Sequence, residues 1–430
     1  MCIRLTIALL TVSISAGCGD SGIQSHESQA GILPRNTETV APSGGVTAAL
    51  AGPQNDPAED GSHVGGSEDT GERDPVAGLL SEIELLQVNG GAKSTQNDHR
   101  NSEIVLKATE VLKRTMQDPA RETDFLAAVR HLLQARLQTA LTGSAADIDQ
   151  LYADVQALSD RDPKSAPAAE GIFHLAKFAH TKARQVRQKK AAWNVSFSRW
   201  AREFATRFPR QSERALSLLF GAGRSCEMTA ATADTDEESA LLRTEARLCY
   251  VLLMEKWPRE PQGQEAVAVL RRLELPGRKL SQFSGPTLSG GKVTAQRFQG
   301  KVTVIYFWDS ESHGFIDRWL PLLKQAETQL PSEDFQLIGV NLDDDLDQCR
   351  QTIRDLAIPG EQIVFQDGSR RGWNSPLVRF WGVSQSPSVW IVDSVGVVNA
   401  VDVRREALAT RLKPLIRARS SGNLQKSREL

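Results

Sequence analysis

Gly300-Lys301-Val302-Thr303-Val304-Ile305-Tyr306-Phe307-Trp308 is the stretch that decides the fold of this chain. A glycine-led turn opens onto seven consecutive apolar, aromatic or β-branched residues, which is the pattern of a strand buried on both faces. Downstream, 316–330 has helical spacing, 335–342 is a second buried run, 346–356 is helical, and 363–365 reads as a short strand or an extended loop. A helix at 376–381 precedes two strands, 388–392 and 397–401, joined by the turn Asp393-Ser394-Val395-Gly396; a closing helix spans 405–418. A βαβ unit, a hairpin and a last helix make 276–418 an α/β domain, with 419–430 left as a disordered tail.

Three motifs occur in order within it: the strand above, then Gly339-Val340-Asn341-Leu342-Asp343, then Gly382-Val383-Ser384-Gln385-Ser386-Pro387-Ser388-Val389-Trp390-Ile391-Val392-Asp393. Together they resemble the thioredoxin superfamily, nearest its TlpA-like and redoxin branch. The resemblance implies a Cys-x-x-Cys pair three residues after Phe-Trp, at the start of the first long helix, where the helix N-terminus favours a thiolate. It also implies a cis proline facing that pair, which Pro387 supplies.

Here Phe307-Trp308 is followed by Asp309-Ser310-Glu311-Ser312-His313-Gly314-Phe315-Ile316. Counting from Trp308 puts Ser312 and Phe315 at the two cysteine positions. The family's helix proline falls one residue late, at Pro321, so an inserted residue would shift the pair to His313 and Ile316. Neither register holds a thiol, and a hydroxyl cannot form the mixed disulfide of thiol exchange. Ser312 is a candidate helix cap and His313 a polar residue at the helix start. Adjacent in sequence, the two diverge on a helix, which argues against a Ser-His nucleophile. Cys349 falls on the helix after the second strand and reads as a packing thiol. Ser386 and Pro387 remain as an edge that can accept an extended peptide, with Ser386 expected to face solvent; the alternative role for Pro387 is purely architectural.

Between about 76 and 275 the pattern is helical, with Leu, Ala, Val and Ile recurring every three or four residues, as in 102–116, 122–141 and 145–159. Asp162-Pro163-Lys164-Ser165, Phe208-Pro209-Arg210-Gln211 and Trp257-Pro258-Arg259-Glu260 recur at spacings of 46 and 49 residues. This resembles tetratricopeptide-like helical hairpins, although the period exceeds their usual ~34 residues. A concave partner-binding surface and an irregular spacing bundle both remain open. A basic stretch from Lys177 to Arg214 is interleaved with Trp193, Phe197 and Trp200 at i, i+4, i+7, the spacing of a core-facing stripe, with lipid-headgroup contact as the alternative.

Residues 1–17 have Arg4, an apolar run over 5–14, and Ser15-Ala16-Gly17 before Cys18. The run is too short to span a bilayer and reads as an export signal. Small residues before a cysteine resemble the lipobox of bacterial lipoproteins, with Ser15 where Leu is usual; the resemblance makes Cys18 the lipid-bearing first mature residue. An ordinary secretory signal cut nearby is the alternative. From 18 to 75 the composition is that of a disordered tether, and 19–74 carries ten acids against two bases.

Of the 430 residues, 40% are hydrophobic and 24% charged, and 51 bases against 53 acids give net −2, which removes the electrostatic case for nucleic acid. The five cysteines form no CxxC pair and the seven histidines show no metal-ligand spacing, so neither metal nor cofactor is expected. The fold class is α + α/β, a helical-hairpin region followed by a thioredoxin-like domain. The expectation is a lipid-anchored, extracytoplasmic, non-catalytic protein that holds a protein partner in the cell envelope. The alternative is a thiol-disulfide oxidoreductase of the TlpA class. The change of period near Pro276 further predicts a boundary open to protease.

Overall fold

The structure, a computed structural model, describes residues 74–88, 94–186 and 189–426. The expected export signal, Cys18, the tether up to residue 73 and residues 427–430 lie outside the described residues. Nine helices come first among them: α1 (Pro75–Val88), α2 (Ser94–Thr115), α3 (Glu122–Thr142), α4 (Ala145–Arg161), α5 (Ala166–Gln185), α6 (Lys190–Arg207), α7 (Ser212–Ala230), α8 (Asp236–Lys256) and α9 (Pro261–Leu273). None is long and apolar enough to cross a membrane.

The recurring proline tetrapeptides are one turn used three times. In each, the last residue's N–H donates to the first residue's carbonyl: Ser165 to Asp162 at 3.2 Å, Gln211 to Phe208 at 3.0 Å, Glu260 to Trp257 at 3.2 Å. Proline sits second, where its fixed φ suits the turn and its missing N–H is not needed. The turn therefore links α4 to α5, α6 to α7 and α8 to α9. In the basic stretch, Trp193 and Phe197 are buried core residues, while Arg202 pairs with Glu245 and Arg214 with Glu170.

The α/β domain begins with an antiparallel pair, β1 (Ser284–Pro286) and β2 (Lys292–Thr294). Its five-stranded sheet has the order β5-β4-β3-β6-β7, with β3 (Val302–Trp308), β4 (Phe335–Asn341), β5 (Glu361–Ile363), β6 (Ser388–Val392) and β7 (Val398–Ala400). β3 runs parallel to β4 and antiparallel to β6. All seven residues of β3 are buried. Ile305 and Phe307 face a cluster that includes Leu377, Val378 and Trp381 of α12 (Pro376–Trp381). Val304, Tyr306 and Trp308 face one that includes Leu323 of α10 (Leu320–Gln329) and Leu412 of α13 (Leu408–Lys426). α11 (Leu346–Asp355) connects β4 to β5.

Two boundaries differ from the sequence reading. The last helix runs to Lys426, so 419–426 is helix rather than tail. Ser420, Ser421 and Gly422 are weak helix formers, but Ala418, Arg419 and Leu424–Lys426 flank them with strong ones and no proline intervenes. The junction near Pro276 is also not an open linker. Past α9 the chain is drawn onto the sheet edge, Gly277 N–H donating to Val398 O at 2.8 Å and Leu280 N–H to Gly396 O at 2.9 Å. Gly382 seats the other side: its φ is +58°, and a Cβ there would lie 2.4 Å from the Val269 nitrogen of α9. Only glycine allows that approach.

Candidate functional site

The loop after β3 is held from below by one buried carboxylate. Ser310 donates to Asp343 Oδ1 through its N–H at 2.8 Å and its hydroxyl at 2.9 Å, and Asn341 Nδ2 donates to Asp343 Oδ2 at 2.7 Å. The loop then enters a helix. Phe315 N–H donates to Ser312 Oγ at 3.2 Å, so the hydroxyl satisfies a first-turn donor as a capping residue does. His313 points into solvent, its side chain 93% exposed, with Nδ1 3.8 Å from the exposed Asp317. No hydrogen bond joins Ser312 to His313 among the described residues.

Phe315 is fully buried. Its ring stacks on Tyr306 at 5.7 Å and 13° and on Trp308 at 5.3 Å and 25°, two residues that β3 places on one face. The polar ends of that stack are satisfied too: Trp308 Nε1 donates to Gln362 Oε1 at 3.0 Å, and Gln362 Nε2 to the Tyr306 hydroxyl at 2.7 Å. Residues Gly314–Trp319 form a π-helical turn, with Leu320 N–H donating to Phe315 O. A π turn accommodates one extra residue without unwinding the helix, so Ser312 and Phe315 keep their places while Pro321 falls one position late. The alternative pair is set apart from the site: His313 is exposed and Ile316 packs partly buried against the core.

Opposite the helix entry stands the proline loop. The Ser386-Pro387 bond is cis, and a Cβ on Gly314 would lie 3.5 Å from Pro387 Cδ and 3.7 Å from Ser312 Oγ. Ser312, Gly314 and Pro387 therefore meet at one point. Ser386 does not face solvent as expected. It is half-buried, and its hydroxyl is shielded and lacks a hydrogen-bond partner. The helical region meets the same loop two residues earlier: Arg224 of α7 donates to Ser384 O at 3.2 Å, and the Ser384 hydroxyl to Glu227 Oε2 at 3.4 Å.

Behind the loop lies a buried charge cluster that the sequence reading missed. Arg272, Glu227 and Asp402 are 1%, 6% and 8% exposed. Arg272 donates to Glu227 Oε1 at 2.8 Å and also to Asp402. Asp402 accepts from Ser388 Oγ at 2.6 Å, and Ser388 Oγ accepts from Trp390 Nε1 at 2.9 Å. Tyr250 donates to Glu227 at 3.3 Å. Burial pushes Glu227 above the ordinary carboxylate range, against the pull of Arg272. Burial also opposes the charge on Arg272, but the Asp402 and Glu227 carboxylates outweigh it and raise its pKa. The one local signal was a charged residue on the buried face of α9.

None of the described thiols is activated. Cys226, Cys249 and Cys349 are free and buried. Burial pushes Cys249 up to about 11 and Cys349 up to about 12, with Asp343 adding to the latter, and it raises Cys226 further still. A reactive thiol needs the opposite shift. Cys349 lies on α11 as expected, in the electrostatic range of the carboxylate that holds Ser310.

Residues 300–398 match the family model described as Thioredoxin-like. This part of the chain is a thioredoxin-like domain. No curated protein matches the chain in sequence. Among solved structures, the C-terminal domain of an assigned thiol-disulfide oxidoreductase from Bacteroides thetaiotaomicron is 23% identical, covering 33% of this chain and 97% of its own, at a TM-score of 0.30. A thiol-disulfide oxidoreductase from Bacteroides fragilis is 22% identical over 32% of this chain and 99% of its own, at 0.29. The thioredoxin-like domain thus follows a helical region that packs against its proline loop.

Proposed function

We propose that this chain is a membrane-tethered, extracytoplasmic protein whose thioredoxin-like domain binds a protein partner instead of exchanging disulfides. The observation that carries the reading is Phe315. At the helix entry, where the thioredoxin resemblance calls for a resolving thiol, a ring is packed into the core against Tyr306 and Trp308. The position that would carry the attacking thiol is Ser312, whose hydroxyl caps the helix. What remains is a cis proline with a helix entry beside it, a surface suited to an extended peptide. Cys18 as a lipid anchor would hold that surface near an envelope membrane.

The alternative is a thiol-disulfide oxidoreductase of the TlpA class, favoured by the family-model match over 300–398. It needs a thiol at the site. The purified chain should reduce insulin disulfides and consume peroxide only at background rates. Turnover that disappears in Cys349→Ser would establish the oxidoreductase instead, and labelling of the chain with palmitate, lost in Cys18→Ser, tests the anchor.

A further inference from the structure

Where α8 meets the strand β7 and the start of α13, a cleft of about 120 Å³ opens between the helical region and the thioredoxin-like domain. Its lining includes the buried, apolar Ala400 and Val401, with Arg243, Arg404 and Arg411 against a single carboxylate, Asp236. Each guanidinium offers five N–H donors, and here many are unused. Arg404 donates to Ala233 O at 2.7 Å and to Asp236, yet its Nε is buried with no partner. Arg243 gives one hydrogen bond among the described residues, to Asp402 O at 2.6 Å. Arg411 is exposed at the mouth and makes no ion pair among the described residues.

Charge balance points the same way. With the neighbouring Arg272, Glu227 and Asp402 and the adjacent Arg405–Glu406 pair included, five guanidinium groups share four carboxylates, one of which, Glu227, burial pushes toward its neutral form. Burial also lowers Arg243, and the charges of Arg272 and Arg411 add to that shift, while Asp402 opposes it. Such crowding of like charge in a partly dry cleft is relieved by an anion. Planar N–H forks bind oxyanions such as phosphate through paired hydrogen bonds, and the several oxygens of a phosphate can serve more than one fork at once. The volume suits a small ion, being below the roughly 300–1,000 Å³ of sites for drug-sized ligands.

We propose that this cleft binds a small phosphate-type oxyanion, held by Arg243, Arg404 and Arg411, with Asp236 as the internal competitor for Arg404. A bound anion would bridge α8 to α13 and so tie the helical region to the thioredoxin-like domain. Free phosphate and the phosphate of a lipid headgroup offer the same chemistry.

The test is calorimetric titration of the full-length chain at low salt with inorganic phosphate, and separately with glycerophosphoglycerol, the soluble headgroup of an anionic phospholipid. Saturable binding of one or both is expected, weakening as salt rises. Arg411→Gln, which removes an exposed and unpaired side chain, should weaken it tenfold or more. Asp236→Asn should tighten it severalfold by freeing Arg404, a gain that a damaged fold cannot mimic. Tighter binding of the free ion identifies phosphate as the ligand, and tighter binding of the diester identifies a headgroup. Absence of saturable binding by both probes, or binding that neither substitution changes, overturns the proposal.

Discussion

The two loops that meet at Gly314 and Pro387 are held in opposite ways. The helix-entry loop is fastened by aromatic stacking, Phe315 on Tyr306 and Trp308, within the α/β domain itself. The proline loop is fastened by charge from outside it, through Arg224, Glu227 and Arg272 of the helical region. The difference teaches that the side carrying Ser312 and Phe315 is ordinary core, whereas the side that keeps its proline depends on a second module. Apolar packing carries no titratable group; a buried ion cluster does, so its contribution depends on pH. The two sides should therefore fail under different conditions.

The largest effect should come from Arg272→Ala. It leaves Glu227 and Asp402 buried without their cation, a loss of about 3–5 kcal/mol, read by chemical denaturation; a loss below about 1 kcal/mol would break the view that charge holds the proline loop. Phe315→Ala should cost about 3 kcal/mol, since it empties a fully buried aromatic site. That loss should not vary between pH 5 and 8, whereas the Arg272 loss should.

Ser386→Ala ranks next. Removing a shielded hydroxyl with no partner should raise stability by about 1 kcal/mol. Ser386→Arg, by contrast, should destabilise, because a charge would replace a half-buried side chain whose tip is shielded from water. An unchanged melting temperature in both variants would return Ser386 to the open edge.

The smallest effect is a pH dependence. Glu227 has a raised pKa in the folded state, so the folded chain binds its proton more tightly than the unfolded one. Its contribution is fully present below the ordinary value of 4.5 and is lost as pH rises through the folded value. Comparing the wild-type chain with Glu227→Gln, the wild type should lose stability relative to the variant as pH climbs through that window. Parallel curves would show that Glu227 does not titrate there.

Much of this was legible locally. Seven buried residues in a row marked β3, and three proline tetrapeptides marked turns that the backbone repeats bond for bond. The absence of a thiol at Ser312 and Phe315 needed only the residue types. The register did not follow, because both pairs, 312 with 315 and 313 with 316, fit a regular helix. It took the π turn over Gly314–Trp319 to separate them. Ser386 was misread because nothing near it in sequence indicates that the folded chain shields its hydroxyl.

By itself, then, the amino-acid sequence determined the order of helices and strands, the two-part architecture and the absence of a Cys-x-x-Cys motif, since periodicity, turn chemistry and side-chain identity all act within a few residues. Only the tertiary structure decided which residue faces Pro387, that Phe315 became core, and that the helical region braces the proline loop. Those outcomes rest on partners far apart in the chain. Arg272 reaches Glu227 across 45 positions and Asp402 across 130, and burial, which sets the energy of both contacts, exists only once the two modules have closed on each other.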